Sequence, residues 1–117
     1  MQRKRSNARR AAALGVLACA AALASPAGAA AVDPRVLLTQ YKCYICHADR
    51  QAKAGPAYQD VAAYFRGKPD AVAVIARNIR HGMRSGGPWH MPPHPEVSAA
   101  EARAMARYIM SLAPAHR

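Results

Sequence analysis

Acidic side chains are scarce in this 117-residue chain: six Asp and Glu stand against 17 Lys and Arg. Aromatic residues make up only 6%, and the basic residues are scattered rather than interleaved with them. That pairing argues against nucleic-acid binding, which calls for clustered cations beside stacking rings. No alternation of apolar and polar residues marks a strand and no segment repeats, so sheet folds and repeat arrays are set aside. The apolar stretch "AAALGVLACAAALA" is short of the ~20 residues of a membrane span and ends at Ser25-Pro26. There are three cysteines, Cys19, Cys43 and Cys46, and the last two stand too close together to staple a long loop.

What is present begins with a leader. "MQRKRSNARR" carries five basic residues and no acid, the apolar stretch follows, and "SPAGAA" supplies small residues. This order is that of a cleavable secretory signal peptide, with cleavage expected after Ala29 or Ala30. Two units are expected, a signal peptide over 1–30 and one domain over 31–117, which places the mature protein in the periplasm. "VLAC" loosely resembles a lipoprotein signal, so lipid anchoring through Cys19 is the minor alternative. Without the leader, 12 Lys and Arg face six acids, about +6, a moderate charge suited to acidic partner surfaces. A domain this small and rich in alanine, with no disulfide, needs something else to fill its core.

The mature part reads as helices joined by loops. Asp33 caps and Pro34 opens the first, with Val36, Leu37 and Tyr41 expected on its inner face. Residues 48–57 read as loop, and "AYQDVAAYFRG" as a short helix stopped at Gly67. In "KPDAVAVIARNIRHG", Asp70 is expected to cap, Val72, Ile75 and Ile79 to face inward, and Gly82 to end the helix. Six Gly and Pro residues make Met83 to Val97 an irregular loop. Ser98 and Glu101 form a capping box for a last helix that buries Ala102, Met105, Ile109 and Leu112.

"CYICH" sets Cys43 and Cys46 two residues apart with His47 directly after. A redox dithiol would sit in a βαβ setting, which is missing, and a zinc site would need a fourth ligand from His81, His90 or His94. Covalent c-type haem attachment uses all three residues as they stand: thioethers from both cysteines, and His47 beneath the iron. The export signal agrees with it. The position above the iron falls to Met91 in the proline-stiffened "WHMPPHP". Met105 and Met110 belong to the last helix, Met83 lies at a helix end, and His90 and His94 read as solvated loop residues.

From Asp33 to Leu112 the chain resembles the small class I c-type cytochromes of the bacterial cytochrome c-551/c-552 type. The resemblance runs through "DPRVLL", "CYICH", "GPAYQDVAAYF" and "MPPHPEVSAAEARAMARYIMSL". It implies an all-α fold, a small cytochrome c fold of about four short helices around one covalently bound haem c. It implies attachment through Cys43 and Cys46, axial ligands His47 and Met91, and a Pro56 carbonyl accepting the imidazole N–H. Its function would be one-electron transfer as a monomer between periplasmic redox proteins, a donor reductase and an acceptor oxidase or reductase, without enzyme activity. The alternatives are the haem subunit of a larger oxidoreductase, or a haem enzyme or sensor in which Met91 is displaceable. Lys42 stands where the family usually has glycine before the first cysteine, and Tyr108 where the last helix usually has tryptophan. The loop tryptophan is moved too: Gly86 lies near its usual place and Trp89 two residues before Met91. Trp89, Arg77 and Arg84 are expected near the haem propionates, and Lys42, Arg50, Lys53 and Arg84 to face partners.

Overall fold

The computed structural model describes Gly15 and residues 31–84, 87–88 and 90–112; the rest of the expected leader, with Cys19, and Gly86 and Trp89 lie outside those residues. Among the described residues no helix is long and apolar enough to cross a membrane.

Helix α1 (Pro34–Gln40) starts as its residue types dictate: the Asp33 carboxylate accepts the Arg35 N–H at 2.9 Å, and Pro34 needs no donor in the first turn. Leu37 and Leu38 are buried while Val36 is 54% exposed, which corrects the expected inner face. The helix ends at Gln40, so its core stripe is 37, 38 and 41, with no turn left to bring residue 36 inward.

Tyr41 closes α1 and donates its hydroxyl to Glu101 at 3.1 Å. Lys42 then takes a left-handed conformation, φ 59°, and leads into a single 3-10 turn at Cys43–Ile45. An L-residue there is strained by roughly 1 kcal/mol. We expect Lys42→Gly to raise holoprotein stability by about 0.5–1 kcal/mol, because relief of that strain outweighs the added freedom of the unfolded chain. The urea midpoint measures it, and an unchanged or lower midpoint would show that Lys42 carries no strain.

Helix α2 (Tyr58–Phe65) buries Tyr58 and Ala62 and stops before Gly67, φ 77°. Helix α3 (Ala71–His81) buries Ala71, Ile75, Ala76 and Ile79, with Val72 only partly covered. Asp70 occupies the cap position but its side chain bonds no helix N–H. At ψ 8° it lacks the extended backbone that aims a capping oxygen at the first turn. The loop expected to be irregular holds a short ribbon: β1 (Met83–Arg84) pairs antiparallel with β2 (His90–Met91), Met83 opposite Met91 and Arg84 opposite His90. Two-residue strands are too short to show a period in sequence.

Helix α4 (Ala99–Ser111) carries the full capping box: Ser98 Oγ accepts the Glu101 N–H at 3.2 Å and Glu101 Oε2 accepts the Ser98 N–H at 2.9 Å. Those bonds from Ser98 hold the Glu101 carboxyl below its ordinary value of 4.5. Ala102, Met105, Ala106 and Ile109 form its inner stripe, and α1, α2 and α3 each pack against it. Leu38, Val97 and Met105 are the largest fully buried side chains. Among the described residues the architecture is four helices with a minimal ribbon.

Candidate cofactor site

The helices leave an apolar cavity of about 1270 Å³ between the attachment turn and the ribbon. Cys43, Cys46 and His47 line it from the turn, Met83 and Met91 from the ribbon, and Ile79 from α3. Both thiols are free, Cys43 buried and Cys46 exposed, and burial pushes the Cys43 thiol up.

His47 is held on three sides. Its Nδ1 lies 2.8 Å from the Pro56 carbonyl, and its ring lies nearly parallel to that of Tyr58, centroids 5.0 Å apart at 16°. Gly55 supplies the third side: a Cβ there would stand 2.8 Å from Nδ1 and 2.9 Å from Nε2. Gly55 is itself fixed by its N–H to the Cys46 carbonyl at 2.7 Å, a consequence of the chain turning back on the attachment segment. Tyr58 is 4% exposed, and its hydroxyl meets the Cys43 sulfur, with burial the main cause of its raised pKa.

A second set of contacts fixes the turn from below. Asp49 accepts the Tyr44 hydroxyl at 3.1 Å and the Tyr108 hydroxyl at 2.6 Å, linking the residue between the cysteines to α4. Burial first, then the Asp49 carboxylate, pushes the Tyr44 phenol up. Lys53 Nζ donates to the Tyr44 carbonyl at 2.6 Å. Sequence reasoning missed Tyr44, Asp49 and Tyr58. Only Tyr58 had a local signal, its place within "GPAY".

Met91 is half-buried on β2 and shares the cavity with His47. His90, beside it, is exposed, while His94 engages Glu96 through Nδ1 at 2.9 Å. Of the residues expected near propionates, Arg77 and Arg84 are exposed and outside the cavity lining, whereas Asn78 lines it. Of the expected partner-facing cations, Lys42 lies at the cavity rim.

The donor set fits a haem. Two free thiols, the His47 imidazole held through Nδ1 and the thioethers of Met83 and Met91 share an apolar enclosure large enough for a porphyrin, which His90 and His94 also line. Among the described residues no group of three or more His, Cys, Asp and Glu side chains could hold a metal ion, and the elements there are four helices, one 3-10 turn and a two-stranded ribbon.

Comparison with known proteins agrees. A family model for cytochrome c matches residues 35–113. The chain is 43% identical over 99 residues to cytochrome c-551 of Pseudomonas aeruginosa, covering 84% of this chain and 92% of that protein. It is 36% identical over 102 residues to cytochrome c-552 of Nitrosomonas europaea, covering 85% and 94%. The crystal structure of the wild-type N. europaea cytochrome c552 superposes with a TM-score of 0.62 at 36% identity, covering 67% of this chain and 98% of that one.

Proposed function

Because this chain belongs to the cytochrome c family, we propose that it is a periplasmic one-electron carrier whose haem iron is held between His47 and Met91. The family carries one covalent haem c, attached here through Cys43 and Cys46. Bound there, it supplies an iron that takes up and releases a single electron.

The chain's own residues set the conditions. A carbonyl oxygen can only accept, so with Pro56 O against Nδ1 the ring proton sits on Nδ1 and Nε2 keeps its lone pair for the metal. Tyr58 and Gly55 allow the imidazole one orientation. The Met91 thioether is a soft, neutral donor that favours the reduced iron, and apolar walls act in the same direction by disfavouring extra charge. With His47 and Met91 both holding the iron no substrate would reach it, so the protein would carry electrons without making or breaking substrate bonds.

The observation that carries this reading is that His47 and Met91, far apart in sequence, line one cavity together with both cysteines. Support for the periplasm comes from the basic, apolar and small-residue order of residues 1–30. Partners meet a small rim: Ile45 is 66% exposed and Met83 48%, with Lys42 beside the same opening. A patch of this kind suits brief encounters of a monomer with acidic redox proteins.

The test is the visible spectrum of protein made where c-type haem is attached. Haem should survive acid-acetone extraction, and the oxidised protein should show the weak far-red band of iron–methionine ligation. Met91→Ala should keep the haem and lose the band, with its potential falling by roughly 0.1–0.3 V, inside the ~0.8 V span that axial ligands command. A band that persists in Met91→Ala would assign the sulfur to another methionine.

A further inference from the structure

The segment that carries Met91 is tied at its two ends in very different ways. On one side lies the two-residue ribbon, a weak tie by itself. On the other, Pro92 and Pro93 have no N–H to give, so the first backbone donor after Met91 is His94. Its N–H is shared between the Ile79 and Arg80 carbonyls at 3.2 Å each, at the end of α3. The Val97 N–H then closes a turn onto the His94 carbonyl at 3.1 Å. That leaves the carbonyl of Val97, a residue with 0% exposure, and Arg80 Nε donates to it at 3.0 Å.

We propose that Arg80 is a positioning residue for Met91: by holding the Val97 carbonyl it fixes the exit of the segment to α3 and so keeps the thioether at the cavity wall. The proposal rests on the reading of Met91 as the iron's sixth ligand. Arg80 acts twice, through its backbone oxygen on His94 and its guanidinium on Val97. A donor that carries charge makes the stronger kind of hydrogen bond, and a buried carbonyl left without one is costly. The neighbouring His94–Glu96 pair does not do the same work: the Glu96 side chain is 53% exposed, and such ion pairs contribute little. Val97 stands one residue before the Ser98 cap, so the tie also sets where the segment stops and α4 begins.

The experiment compares wild-type holoprotein with Arg80→Met, which keeps the length of the side chain and removes its donors. Added imidazole competes for the iron only in molecules whose Met91 has left, so its apparent affinity scales with that fraction. Arg80→Met should bind imidazole about tenfold more tightly than wild type, with Arg80→Lys between them. In urea its far-red band should vanish before its helical circular dichroism, whereas the two coincide in wild type. Unchanged imidazole affinity, or band and helix lost together at lower urea, would make Arg80 merely structural and overturn the proposal. Should Arg80→Met not accumulate with haem, Arg80→Gln is judged by the same two readings. Wild-type protein without the far-red band would overturn the Met91 reading and this proposal with it, before any variant is made.

Discussion

Gly82→Ala is expected to abolish the iron–methionine band while leaving the haem covalently attached. Gly82 ends α3 at φ 74°, ψ 175°, a conformation that belongs almost to glycine alone. A Cβ at this position would stand 2.5 Å from the Met91 carbonyl oxygen, 2.9 Å from Pro93 N and 3.1 Å from the Pro92 carbonyl carbon. All three are backbone atoms, two of them in prolines, so no side chain can swing aside. Either α3 unwinds at its end or the Met91 segment moves away, and the segment has fewer ties. The cost is about 3 kcal/mol, combining the unfavourable backbone region with overpacking. Gly67→Ala is the control. Its φ is 77° but nothing lies within 4 Å of its would-be Cβ, so it should cost only about 1 kcal/mol and keep the band. If both variants lose equal stability and both keep the band, the close approach of Gly82 to Met91 does not exist in solution.

Gly55→Ala should strike the other axial side. The added methyl meets the His47 ring, and that ring has nowhere to go. Pro56 O holds its edge and the buried Tyr58 blocks the far face. Overpacking of about 1–3 kcal/mol is joined by loss of the Pro56 hydrogen bond, about 1 kcal/mol, giving about 2–4 kcal/mol in total. The urea midpoint of the holoprotein reads that loss, and the Soret and visible bands report whether His47 still faces the iron. The yield of haem-loaded protein should fall too, since the loop carrying Gly55 is bonded back onto the turn that carries the cysteines and His47. Wild-type spectrum and midpoint in Gly55→Ala would mean that the imidazole does not lie over Gly55.

These two glycines show where a linear reading succeeds and where it stops. The capping box of Ser98 and Glu101 and the stripe through Ala102, Met105 and Ile109 are local patterns, and the structure places them as their spacing implies, while Leu112, expected on the same stripe, is only half-buried past the helix end. The CYICH run is equally local, and its cysteines and histidine line the cavity. Gly82 could be read as a helix stop, because that role depends on its own backbone. Its second role, making room for Met91 and Pro93, depends on atoms from a distant segment. Asp49 is similar: nothing near it in sequence announces that Tyr108 on α4 will share its carboxylate with Tyr44. Arg80 is a third case: nothing near it in sequence announces that the Val97 carbonyl will accept its Nε–H. The errors were local ones of phase and backbone angle. The helical spacing of Val36, Leu37 and Tyr41 predicts Val36 inside where it lies exposed, and Asp70, at the cap position as expected, has a ψ that denies it the capping bond.

The position of α4 in the chain has a consequence for the order of events in biosynthesis. Every other helix packs against it, and its Met105 is one of the three largest fully buried side chains. It follows the other described helices in the chain, so until it is made their apolar faces lack the surface they pack on. During that interval Cys43, 9% exposed once folding is complete, stands open beside Cys46. Burial of Cys43 therefore depends on a helix made well after the cysteine itself.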